Sequence, residues 1–141
     1  MFPGLAGFYK SSREVGYTLV RIIIGYILLM HGWVKMDVGV VGTAADMAKY
    51  GLEPSLWFAY AATFFESVGG ICIILGLFTR FFAPALAIEL WIAFYVAKLP
   101  HGFAASKGGF EYVLLLGIVM FAIALRGGGL YSVDRVIGTE L

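Results

Sequence analysis

The sequence is short of charge: Asp, Glu, Lys and Arg make up only 13% of its 141 residues, about half the share found in ordinary soluble domains. That scarcity argues against a soluble domain, and a net charge of +1 leaves no basic patch for nucleic acid. Cysteine is scarcer still. Cys72 stands alone, so the chain cannot close an internal disulfide or act as a two-thiol redox pair, and its apolar neighbours predict a small buried filler. Histidine is confined to His31 and His101, with no further ligand at metal spacing; neither a metal nor a haem is predicted. No nucleophile stands beside a base at a recognisable spacing, so no catalytic residue is assigned. No small-residue cleavage site follows the first apolar run, so the chain from Val15 onward reads as a retained helix.

What remains is apolar. Hydrophobic residues make up 61% of the chain and the mean hydropathy is +0.91, a composition for the bilayer rather than for water. The pattern predicts an all-α integral membrane protein, a single domain over residues 1–141 with four transmembrane helices at roughly 15–35, 54–78, 82–99 and 110–125. Met1 to Glu14 reads as an interfacial arm carrying Phe2, Leu5, Phe8, Tyr9, Lys10 and Arg13. Between the first two crossings, Thr43 to Tyr50 reads as a short interfacial or re-entrant helix, with Thr43 as N-cap and Gly51 as C-terminal cap, a lid over the bundle mouth. The tail LYSVDRVIGTEL is polar enough to lie at the surface. Four crossings put both termini on one side. Lys10, Arg13, Arg80, Arg126 and Arg135 fall there, against Lys35, Lys49, Lys98 and Lys107 opposite, which favours cytoplasmic termini.

The charges inside the apolar runs are the candidate site. At about 100° per residue, Arg21, Gly25, Gly32 and Lys35 share one stripe of the first helix. Glu66, Gly69 and Gly70 share a face of the second, and Glu89 lies within the third. Small residues let helices approach closely in lipid, so Gly25, Gly32, Gly69 and Gly70 are the packing positions. An intramembrane Arg must meet carboxylates or carbonyls in the bundle interior. By depth, Glu89 lies nearest to Arg21 and Glu66 within reach on tilting, which predicts a buried polar core of Arg21, Glu66 and Glu89 in which one Arg and two carboxylates hold one shared proton. Toward the opposite face, His31, Lys35, His101 and Glu111 form a polar mouth for a headgroup, a quinone ring or a metal. Phe58, Tyr60, Phe64, Phe65, Phe94 and Tyr95 read as membrane packing first and as walls of a quinone pocket second. Trp33 and Trp57 read as interfacial belt residues.

The runs RIIIGYILLMHGWVK, FFESVGGICIILGLFTRFFAPALAIE and GGFEYVLLLGIVMFAIAL, closing on GGGLYSVD, resemble the DoxX family of small four-helix prokaryotic membrane proteins, from Arg21 to Asp134. The resemblance points to Arg21, Gly25, His31, Gly32, Lys35, Glu66, Gly69 and Gly70, then to Gly109, Glu111, Tyr112, Gly127, Gly129, Ser132 and Asp134. It implies a prokaryotic cytoplasmic membrane and a subunit or accessory of a quinone-linked redox system, with quinone the cofactor to expect and an oxidoreductase or other membrane subunit the partner, in a homo- or hetero-oligomer. Two other classes fit the same residues. One is a non-catalytic scaffold whose ion pairs serve folding; the other is a small proton-coupled transporter or lipid handler.

Overall fold

A computed structural model describes residues 3–138 of the chain. Phe2 of the predicted arm and the last three residues of the tail lie outside the described residues, as does the side chain of Lys10. Among the described residues every regular element is helical.

Helix α1 spans Pro3–Val38, 36 residues and roughly 54 Å, well beyond a hydrocarbon core of ~30 Å. The predicted arm is therefore the start of this same helix. Neither Gly nor Pro stands near the expected boundary at Val15 except Gly16, so the ladder is not interrupted, and Leu5, Phe8 and Tyr9 project from it exposed. Helix α2, Val40–Lys49, starts three residues before the expected Thr43 cap, because Gly39 at φ 82° lets the chain turn there. Thr43 instead lies buried inside the helix, its N–H bonded to the Gly39 carbonyl. Gly51 does close α2, at φ 74°, with Leu52 N–H reaching back to the Met47 carbonyl.

The second crossing is interrupted. Helix α3 (Ser55–Phe64) passes through a π turn, Phe65–Gly69, into α4 (Gly70–Leu75), which ends at left-handed Gly76 rather than at Phe78. Helix α5 (Thr79–Ala93) returns antiparallel, runs through a second π turn at Phe94–Lys98 and finishes in a 3-10 turn, Leu99–His101. Helix α6 spans Glu111–Arg126 and α7 Val133–Ile137.

Three stretches are long and apolar enough to cross a membrane, Gly7–Val38, Ser55–Leu75 and Thr79–His101. This is a membrane protein. Helix α6 has 16 residues, roughly 24 Å, short of the ~20 residues a crossing usually takes. It packs closely along α5, while α1 packs on the π turn and α4. Leu28, Ile73, Leu86, Met120 and Ile123 fill the centre and are almost wholly buried, and Cys72 is the buried filler expected of it.

Glycine sets the register of α1 against the second crossing. A Cβ on Gly25 would lie 2.9 Å from the Gly70 carbonyl oxygen and from Ile74 N, and one on Gly70 would lie 2.8 Å from Leu29 N. Seven residues further along α1, a Cβ on Gly32 would strike Ser67. The obstacles are backbone, which cannot rotate aside. Gly25→Leu is therefore expected to lower stability by about 1–3 kcal/mol through overpacking. Gly16→Ala, on the same helix with nothing near its Cβ position, is the matched control. Unfolding of both in detergent, followed by circular dichroism, checks this; equal midpoints would mean that the crossing is not close.

Candidate functional site

Two separate polar centres emerge, one at each end of the bundle. The first belongs to Arg21. Its side chain is 1% exposed, and its guanidinium donates to the carbonyls of Tyr131 at 2.8 Å, Ile74 at 3.3 Å and Gly128. The structure thus answers Arg21 with carbonyls rather than with Glu66 or Glu89. The glycine run after α6 folds back over the end of the bundle and turns its carbonyls inward, which side chains bulkier than hydrogen would prevent: a Cβ on Gly76 would collide with Arg21 Nη1, and one on Gly128 would lie 2.7 Å from Ser132. Tyr17 O–H donates to the Gly127 carbonyl, and Arg126 lies over the Tyr17 ring while pairing with Glu14 at 2.6 Å.

Asp134 completes this fastening. Its carboxylate accepts from Phe78 N–H at 2.7 Å and Thr79 N–H at 2.9 Å, and its own N–H donates to the Gly76 carbonyl at 2.9 Å. A carboxylate at the first N–H groups of α5 satisfies orphan donors and complements the helix dipole. Ser132 and Asp134 are both buried, while Leu130 and Tyr131 are exposed, so the tail expected at the surface is anchored into the core at these two residues.

The second centre lies fourteen residues further along α1, roughly 21 Å away. Lys35 Nζ forms an ion pair with Glu66 Oε2, with side-chain exposures of 24% and 10%. Glu89 stands within side-chain hydrogen-bonding reach of Glu66, and its Oε2 is buried without a partner. Lys35 therefore moves from the predicted mouth to the carboxylates, and Arg21 leaves them. The cause is local: Gly32 brings α1 against Ser67, so Lys35, one turn on, meets Glu66. The π turn that holds Glu66 adds a residue to the helical register there, a feature frequent at functional sites.

These three groups form one end of a cavity of about 440 Å3. Its walls are otherwise largely apolar and come from the end of α1, from α3, and from α5, with Phe58, Phe65, Ile92 and Val96 among them. Thr43, Asp46 and Met47 of α2 close it from above. Asp46 also pairs with Lys49 at 2.6 Å on the exposed side of α2, which raises the Lys49 amine above its usual value through that hydrogen bond and charge.

The remaining mouth residues have partners of their own. The exposed His31 ring lies 6.5 Å from that of Tyr112. His101 Nδ1 lies 3.0 Å from the Ala97 carbonyl, and Glu111 accepts from Ala105 N–H at 2.6 Å, bracing the loop before α6. These are local contacts, not one gathered mouth. The small faces that carry Ala62 beside Glu66 and Ala85 beside Glu89 are legible in the helical period, whereas Ala61 looks like any other lipid-phase alanine. The resemblance points to Asp134 but not to its role as the cap of α5.

The DoxX family model matches residues 16–99. "Putative oxidoreductase CatD" of Bacillus subtilis is 34% identical over 91% of both chains. An uncharacterised protein of Haemophilus influenzae is 30% identical over 89% of this chain and 93% of its own, and "Inner membrane protein YphA" of Escherichia coli is 26% identical over 90% and 94%. No solved structure matches at a significant level. With more than half of its length matched by the family model and relatives aligned almost end to end, the chain belongs to the DoxX family.

Proposed function

We propose that the chain is a small accessory subunit of a quinone-linked redox system in a prokaryotic cytoplasmic membrane, and that the cavity beneath α2 holds the quinone ring. The carrying observation is the Lys35, Glu66 and Glu89 cluster at one end of an otherwise apolar cavity. The groups suit that ligand. Quinone oxygens are acceptors and Lys35 carries three donors, while the unpartnered Glu89 Oε2 can accept from a ring hydroxyl of the reduced form. Glu66 and Glu89 both line that end and are the carboxyls that would exchange protons with the ring. A bound quinone supplies two-electron, two-proton chemistry. The chain itself binds the ring, orients it and manages a proton, and an oxidoreductase partner delivers the electrons. The name carried by the Bacillus subtilis relative supports the redox setting, and that of the Escherichia coli relative supports the inner membrane.

In this reading α6 is a fourth crossing packed along α5, shortened because Gly102 to Phe110 dips toward it, and α2 lies at the interface. Both termini are cytoplasmic. Lys35 is turned inward onto Glu66, which leaves three basic residues on the opposite side against five and strengthens the charge bias.

Binding of a short-tailed quinone to the purified protein tests the reading. A saturating ligand at a hundredfold excess over Kd stabilises the folded state by about 2.7 kcal/mol, which a thermal shift detects. Glu89→Gln keeps the shape but removes the charged acceptor for a ring hydroxyl, and is expected to weaken binding of the reduced form about tenfold, the size of one hydrogen bond. No shift with wild type, or an unchanged affinity in Glu89→Gln, would sink the proposal.

A scaffold role is favoured by a different feature, an apolar groove of about 390 Å3 between α1 and α6 lined by Leu19, Ile23, Ile27, Tyr112 and Leu115. A folded Glu66→Gln/Glu89→Gln double variant that retains the host phenotype would select it.

A further inference from the structure

The cavity has a second boundary. Ala61 of α3 and Ile88 and Ile92 of α5 line it and are at the same time exposed on the outer surface of the bundle. Ile88 is 61% exposed. Helix α5 packs on the π turn and on α4 but draws away from α3 toward the α2 end. The two helices therefore diverge like the arms of a V from the turn at Gly76. Ala61 and Ala85 keep the gap free of large side chains.

From this we infer that the ligand reaches the cavity sideways from the bilayer, through a portal between α3 and α5, so that the site selects a polar ring carrying a long apolar tail and leaves the tail in lipid. The inference rests on the ring-binding reading above and specifies the ligand class and its route. Three observations carry it. Both rim helices lie within stretches long enough to cross the membrane, so their outer faces meet acyl chains. Lys35, Glu66 and Glu89 meet as one cluster in the lining, which gives the head of an amphiphile a single polar anchor. And a cavity of about 440 Å3 lies near the lower end of the ~300–1,000 Å3 range of small-molecule sites. It takes a ring and the first few carbons of a tail, so a longer tail must leave, and the gap beside Ala61 is lined by apolar groups only.

The α2 side offers the alternative route. Asp46 and Tyr50 stand there, exposed at the membrane surface, and a tail leaving past a carboxylate would enter water rather than lipid.

The experiment uses the whole protein in lipid nanodiscs, with a decyl-tailed quinone and the same quinone ring without a tail as probes. Ala61→Trp fills the portal from an exposed position that no core contact uses, and Ile88→Trp fills it from the opposite helix. Each is expected to weaken binding of the tailed quinone about tenfold, the equivalent of about two methylenes losing their burial, while affinity for the tail-less ring stays as in wild type. Tyr50→Trp, on the α2 side, is expected to change neither. If wild type binds both probes and the two rim variants leave the tailed one unaffected, the portal is wrong and the ring site stands. If the rim variants weaken both probes equally, or Tyr50→Trp alone discriminates against the tail, the route lies under α2. If wild type binds neither probe, the ring site and the portal fail together.

Discussion

Arg21→Met is expected to lower stability by about 3–5 kcal/mol, enough to leave little folded protein if the total is the usual ~5–15 kcal/mol. The guanidinium reaches the carbonyls of Ile74, Gly128 and Tyr131 together. With a methionine there, three carbonyls lose a charged donor, and that of Gly128 lies buried. A hydrogen bond to a charged group contributes ~1.5–3 kcal/mol, and a buried carbonyl left without a donor costs ~1–3 kcal/mol. The turn from Gly127 to Asp134 would then detach, and with it the Asp134 carboxylate that caps α5. Arg21→Lys keeps the charge but has one nitrogen where three carbonyls need a fork, so less than half of the loss should return. Unfolding of wild type, Arg21→Met and Arg21→Lys in one detergent, followed by circular dichroism, gives the order. A methionine variant melting with wild type would show that the tail holds without the arginine.

This expectation differs from the one the sequence invites, and the reason is instructive. The intramembrane position of Arg21, its need for an interior partner and the small-residue stripe beside it are all legible in the period of the residues. Its partners are not, because they are main-chain carbonyls, and every residue carries one. Only the three glycines of residues 127–129 hint that backbone comes close there. Likewise Glu66 and Glu89 are visible as charges in apolar runs, but not Glu66 opposite Lys35. Placing the second crossing as an unbroken helix to Phe78 sets Glu66 at mid-depth, near Arg21. In the structure Gly25 meets Gly70 and Ile74 while Gly32 meets Ser67, and this register sets Glu66 beside Lys35 and leaves Arg21 beside the Ile74 carbonyl. A π turn and a close backbone crossing depend on tertiary packing, which no single helix period encodes. The lid and the cavity were half legible: the mixed composition after Met36 marks a short helix, and Gly39 and Gly51 mark its ends, but the gap that α2 covers arises from the divergence of α3 and α5.

The Lys35–Glu66 pair yields the other large effect, and it separates stability from function. Lys35→Met leaves two carboxyl groups facing each other with no cation, and Glu66→Leu takes from Lys35 the carboxylate it is bonded to. Breaking a buried pair by removing one partner costs about 3–5 kcal/mol, whereas replacing both members by apolar groups of similar volume is often neutral or stabilising. The double variant Lys35→Met/Glu66→Leu is therefore expected to melt within about 1 kcal/mol of wild type, while each single variant melts far below it, a coupling measured by the double-mutant cycle. If the pair exists for folding alone, the restored double variant should also regain its function. If it exists to hold a ring, the double variant should be well folded and fail to bind the short-tailed quinone, because the ammonium that donates to the ring oxygens is gone. A folded double variant that binds as well as wild type would remove Lys35 and Glu66 from the site. One that neither recovers stability nor binds would show that the two side chains pack in ways their charges do not describe.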